Sequence, residues 1–197
     1  MNKPFIPKKI KASSSMIRAI KKARVELDKE IDKQNSLINA AGTLVFARSY
    51  GWDDNQIVEF YRSQEEVYEE CGKTLNKSLI QMCSEETGID LIREESDVTW
   101  EDLYYLNPDF GVVELTPHQI LYMTMQQKKW VRADLLAAFV LTAKRKYNFD
   151  EDELGELFVG IMEVLREYEG DIKRLREQCM KEVGFLVYRD PLVKTKK

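Results

Sequence analysis

The chain has 197 residues, 44 % of them hydrophobic and 32 % charged, which supplies enough apolar material for a buried core and argues against global disorder. Nine Gly and five Pro are few breakers, so long helices are favoured over many short strands. The longest apolar stretch, Leu135 to Ala143, is far short of the roughly 20 residues that cross a bilayer, and no apolar segment follows the basic N-terminus as it would in a signal peptide. A cytoplasmic protein without a membrane partner is expected.

The formal net charge of −4 is unevenly spread. Residues 1–25 hold Lys3, Lys8, Lys9, Lys11, Arg18, Lys21, Lys22 and Arg24 and no acid, so this segment is +8 and the remainder −12. Pro4 and Pro7 break up residues 1–14, read as a flexible basic arm. A long helix is expected from near Ser15 to about Tyr50, with Ile17, Ile20, Leu27 and Ile31 near heptad spacing and a break at Asn35-Ser36 as an option. Tyr50-Gly51-Trp52-Asp53 then turns the chain into a second helix. Asp53 is placed as its N-cap, Gln56 as the reciprocal capping-box partner, and Trp52 with Ile57 as a hydrophobic staple. Ile57, Phe60, Tyr61, Gln64, Val67, Tyr68 and Cys71 form one stripe at a 3.6-residue period. Gly72 ends that helix, and a further one carries Leu75, Leu79, Met82 and Cys83 before Gly88.

The same pattern returns at an offset of 97 residues. Residues 92–115 form a linker, with a short capped helix at Thr99-Trp100-Glu101-Asp102 and a turn at Asn107-Pro108-Asp109. Thr116-Pro117-His118-Gln119 starts a long helix that runs to about Lys146. Asp150 and Glu153 repeat the capping box, and Phe149 with Leu154 the staple. Leu154, Leu157, Phe158, Ile161, Val164, Leu165 and Tyr168 repeat the stripe. Ile172, Leu175, Cys179, Met180 and Val183 then line a last helix before Gly184. Ala40, Ala41 and Gly42, like Ala137 and Ala138, are small enough for helices to approach closely. The expected fold is all-α, with about six main helices. They form copy 1 at 15–91 and copy 2 at 116–188, each a long helix plus two shorter ones, before a flexible tail at 189–197. Val112-Val113-Glu114-Leu115 and Phe185-Leu186-Val187-Tyr188 are β-prone and are read as a minor two-stranded element.

The run from Ala40 to Leu91, with its Ala-Ala helix, Tyr50-Gly51-Trp52-Asp53 and the terminator Glu85-Glu86-Thr87-Gly88-Ile89-Asp90-Leu91, resembles short helical proteins of unknown function encoded by phages and prophages of Gram-positive bacteria. The second copy departs from it where Asn148 replaces the glycine. The resemblance carries no functional residues across. It implies an accessory protein that binds a host protein stoichiometrically, as inhibitors of CRISPR and other defence systems do.

Motifs for chemistry are sparse. The only histidine, His118, sits in a first helical turn, which leaves di-iron sites and Cys/His nucleophiles without a second imidazole or a partner. No Gly-x-Gly-x-x-Gly, P-loop or Gly-x-Ser-x-Gly pattern occurs. Cys71, Cys83 and Cys179 lie on apolar helical faces and read as small buried hydrophobes. Met123 and Met125, near Tyr122 and Trp130, read as core filling. No catalytic, cofactor-binding or metal-binding residues are therefore assigned, and no cofactor. A non-enzymatic protein–protein interaction factor is expected, with Glu65, Glu66, Glu69 and Glu70 as its acidic partner surface and a host protein as partner. The alternative is a nucleic-acid-binding regulator that uses Lys8, Lys9, Lys11, Arg18, Lys21, Lys22 and Arg24. An enzyme with an unrecognised site is the third reading, and self-association into a homodimer stays open.

Overall fold

Six helices account for most of the residues described in the computed structural model, 14–72, 78–91 and 117–184. For residues 15, 16, 19, 20, 72 and 117–129 the description is of the backbone alone. Among the described residues the fold is all-α, with no strand. The helices are α1 (Ser14–Ser49), α2 (Asp54–Gly72), α3 (Leu79–Thr87), α4 (Pro117–Tyr147), α5 (Glu151–Glu167) and α6 (Ile172–Glu182). Residues 1–13 of the basic arm, the whole linker 92–115 with its short helix, the β-prone pair and the tail lie outside the described residues.

Local chemistry explains the helix starts. Asp53 Oδ1 accepts from the backbone N–H of Gln56 (2.9 Å), whose side chain accepts from the N–H of Asp53 (3.0 Å). Asp150 and Glu153 make the same reciprocal pair, both bonds at 2.9 Å. The staple residue Trp52 does more than set an entry angle, since its ring stacks on Phe46 at 4.1 Å and 8°. A third capping box, Ser78 with Gln81, opens α3, later than the stripe beginning at Leu75 suggests. The α1 helix runs through Asn35-Ser36 without the break that was one option there. Each of these residues costs well under about 1 kcal/mol in a helix, whereas the next turns are anchored by Leu37 and Ile38, both buried.

The two long helices form the centre. Residues 37–46 of α1 are all buried, and so are residues 135–143 of α4. Helices apolar on every side belong in the middle of a protein rather than on its surface. They run parallel, because contacts advance together along both chains: Gly42 lies against Phe139, and Trp52 meets Tyr147 at 5.2 Å further on. Gly42 is indispensable at the crossing, since a Cβ there would sit 2.3 Å from the Phe139 ring. The expectation that small residues allow close approach is borne out, with Ala41, Ala137 and Ala138 fully buried alongside.

The short helices pack crosswise. α1 lies along α5 and α6 of the second copy, while α4 lies along α2 and α3 of the first. The copies are thus units of sequence that share one interlocked core. Paired arginines clasp the crossing. Arg48 donates to both carboxylate oxygens of Glu182 (2.8 and 2.7 Å) and lies 3.9 Å from Glu167. Arg145, 97 residues later, is bidentate on Glu86 and lies 3.8 Å from Glu70. Each clasp therefore joins the long helix of one copy to the short helices of the other.

Gly42→Ala should cost about 1–3 kcal/mol by overpacking the crossing. Gly155→Ala, on α5 with nothing within 4 Å of the added methyl, should be neutral or gain up to about 1 kcal/mol from helix propensity. Urea melts of both variants check this, and a similar stability for the two would refute the crossing.

Candidate functional site

Three surfaces stand out, built from charge and aromatic placement. The first is a pair of acidic flanks. α2 carries six acids and one base, and α5, its counterpart in the second copy, also carries six acids and one base, so the two flanks are matched in charge. Glu65, Glu66, Glu69 and Glu70 are all exposed on α2, but they differ in use. Lys146 Nζ reaches both Glu66 and Glu70 at 3.0 Å; these hydrogen bonds raise its pKa. Glu66 and Glu70 thereby join α2 to α4, while Glu65 and Glu69 are exposed and make no ion pair among the described residues. On α5, Glu151, Asp152, Glu153, Glu156, Glu163 and Glu167 are exposed.

The second surface is the start of α1. Arg18, Lys21, Lys22 and Arg24 are exposed, and none of them makes an ion pair among the described residues. Ile17 and Val25 stand among them, 44 % and 52 % exposed, while Ala23 is buried and Leu27 and Ile31 lean on the core. From Glu26 onward acids and bases mix, beginning with the Lys29–Glu26 pair at 3.4 Å. Lys8, Lys9 and Lys11 lie outside the described residues.

The third surface lies at the C-terminal ends of α1 and α4. Phe46, Trp52, Phe60, Phe139 and Tyr147 form a continuous ring cluster with centroid spacings of 4.1 to 5.9 Å. At its edge an open cleft of about 420 Å³ is lined by Trp52, Asn55, Gln56, Glu59 and Tyr147. Burial, and secondarily the nearby carboxylates of Glu59 and Glu66, keep the Tyr147 phenol protonated by raising its pKa. The matching positions in the second copy are Phe149, Asp152, Glu153, Glu156 and Tyr50. There the Tyr50 hydroxyl donates to the Glu153 carbonyl at 3.1 Å, and burial pushes its pKa up to about 12.

The interior holds less reactive chemistry. All three cysteines are buried and unpaired, as their apolar faces imply. Burial raises Cys83 to about 11 and Cys179 to about 12, so both stay as thiols, and the Cys179 thiol donates to the Ala40 carbonyl at 3.1 Å. Tyr61 donates to the Asn39 carbonyl at 2.6 Å, which ties α2 to α1. Between α2 and α4, the Tyr68 hydroxyl and the Trp130 indole N–H are buried without a hydrogen-bond partner. Asp134 lies one helical turn from Trp130; burial, and secondarily the nearby Asp134 carboxylate, raise the pKa of Tyr68. Desolvation pushes Asp134 itself up to about 6.

Among the described residues, no group of three or more His, Cys, Asp or Glu side chains could hold a metal, and no helix is long and apolar enough to cross a membrane. His118 falls in the first turn of α4. The clasps of Arg48 and Arg145 and the half-buried Asp134 carry no pattern in the sequence that gives their roles. The one signal for the arginines is their recurrence at the repeat offset, and for Asp134 it is an acid in an apolar run. Compared with known proteins, the chain matches no family model, no curated protein and no solved structure.

Because Asp134 has a raised pKa in the fold, its ionisation opposes folding. The contribution is favourable below the ordinary value of 3.8 and is lost as pH rises to about 6. Asp134→Asn should therefore stabilise the protein by about 1–3 kcal/mol at pH 7, with the gain shrinking toward pH 4. Melts across this range check the sign, and a pH-independent difference would overturn it. Glu182 is the opposite case. Its bidentate bond to Arg48, helped by Gln178, holds it down at about 2. Its stabilisation is present above 4.5 and fades as pH falls toward 2. Glu182→Gln should cost no more than about 1 kcal/mol at pH 7, because the pair is largely solvated.

Proposed function

We propose that this chain is a non-enzymatic interaction protein whose acidic helical surface docks on a basic face of a protein partner. The observation that carries the reading is the repetition of charge: α2 and α5 each set six acids against one base, on exposed faces of one interlocked body. Such a surface steers and orients a positively charged partner, and it can cover a groove that would otherwise take nucleic acid. The resemblance of residues 40–91 to phage and prophage helical proteins gives this reading its setting: an accessory factor in the cytoplasm that inhibits a host defence protein.

The free acids supply the discriminating variant. Glu65→Lys with Glu69→Lys reverses charge at two exposed positions that make no ion pair among the described residues, so the fold should be unaffected. Capture of the partner by the tagged chain from nuclease-treated host lysate should fall at least about tenfold, the loss of roughly 1.4 kcal/mol. Capture equal to wild type would remove α2 from the interface.

A second reading has its own observation in the four exposed cations of α1, Arg18, Lys21, Lys22 and Arg24, which pair with no acid among the described residues. Under it the start of α1 contacts the phosphates of nucleic acid. Affinity for a duplex should then fall steeply with salt and should be lost on reversing the four charges together. Unchanged binding in the reversed variant would end this reading.

A further inference from the structure

The open aromatic cleft has the chemistry of a receptor for one kind of side chain. Its floor is the pair of half-buried rings Trp52 and Tyr147, 5.2 Å apart and tilted by 37°. Its rim is polar and acidic: Asn55, Gln56 and Glu59. The side-chain carbonyl of Gln56 already accepts from the backbone N–H of Asp53. Glu59 shares one carboxylate oxygen with Arg62 of its own helix at 3.2 Å, a contact between side chains 61 % and 70 % exposed. That contact is weak enough to yield, and it leaves the second oxygen open. Asp53 and Asp54 add negative charge at the start of α2 and offset the positive end of its dipole.

We propose that the Trp52–Tyr147 cleft is an anchor pocket for an arginine side chain of a protein partner, with the guanidinium flat on the aromatic floor and its N–H groups on Glu59 and Asn55. A planar cation that is weakly hydrated stacks on ring faces while donating in its own plane to a carboxylate, which is the combination of surfaces the cleft offers. A lysine ammonium would use the charge but not the plane. The complementarity extends beyond the rim, because α2 as a whole is strongly acidic.

The duplication sharpens the argument. The matching place in the second copy has the same acidic rim, with Glu156 in the position of Glu59. Its tyrosine, Tyr50, is half-buried like Tyr147, but Phe149, in the position of the half-buried Trp52, is buried. The two copies therefore diverge at one spot, and only the copy with tryptophan keeps an accessible aromatic floor. The pocket deepens the proposed interaction surface and rests on that reading for its biological partner, but arginine recognition can be measured without one.

The test is titration of the full-length protein with a capped Gly-Arg-Gly peptide, followed by the indole N–H resonance of Trp52, which Trp52→Phe identifies by its loss. Saturable shifts at about millimolar concentration are expected for so small a ligand. The citrulline peptide, which keeps the shape but not the charge, should bind at least about tenfold more weakly, a difference of roughly 1.4 kcal/mol. Glu59→Gln should weaken the arginine peptide severalfold while leaving the urea melt unchanged. Equal shifts with arginine and citrulline, no response of Trp52, or an effect undiminished in Glu59→Gln would each overturn the assignment. Failure here with intact sensitivity to Glu65→Lys and Glu69→Lys would remove the pocket and keep the acidic surface. The reverse result would keep an arginine pocket and remove the wider surface.

Discussion

The contact on which the rest depends is the seating of Phe139 on the bare backbone of Gly42. Two parallel helices can approach this closely only if one of them has no side chain at the crossing, since an added Cβ would lie 2.3 Å from the ring. The ring then fills the space that the glycine leaves, and Phe46, Phe60 and Tyr61 close around it at 4.7 to 5.9 Å. Residues 42 and 139 occupy the same place in the two copies. Two phenylalanines there would collide and two glycines would leave a void, so the fused chain uses what identical copies could not: unequal residues at equivalent positions.

The crosswise packing follows from that crossing. With the long helices side by side and parallel, each presents its remaining faces to the short helices of the other copy. The arginine clasps repeat this relation at the surface, Arg48 to Glu182 and Arg145 to Glu86, and they add orientation more than stability because they stay solvated. Neither copy could keep its core if separated from the other, because burial of α1 and α4 draws on both. The acidic flanks α2 and α5 are thereby held at fixed places on one body, which a charged docking surface requires.

Divergence between the copies also bears on function. Trp52 and Phe149 are equivalent in sequence, yet Phe149 is buried while the half-buried Trp52 floors an open cleft with Tyr147. Likewise the quartet Glu65, Glu66, Glu69 and Glu70 splits into two acids that hold Lys146 and two that face solvent. Charge on a helix thus serves two ends at once, attachment of α2 to α4 and presentation to the exterior, and only the second is available to a partner.

The sequence by itself determined the helices, their caps and the repeat. Capping boxes at Asp53–Gln56 and Asp150–Glu153 are local, set by hydrogen bonds between residues three apart, so pattern alone locates them. The stripes on α2 and α5 are equally legible because each helix has one buried face. Tertiary structure decided the pairing of the copies, the bond partners of Arg48 and Arg145, the division of the glutamates and the asymmetry of the aromatic clefts. All of these join residues dozens of positions apart, such as Arg48 and Glu182 or Trp52 and Tyr147. No periodicity encodes such contacts, since they depend on how whole helices cross. The stretch 135–143 shows the boundary plainly: its apolar run announces burial, but only the crossing reveals that Phe139 within it is the ring that needs Gly42.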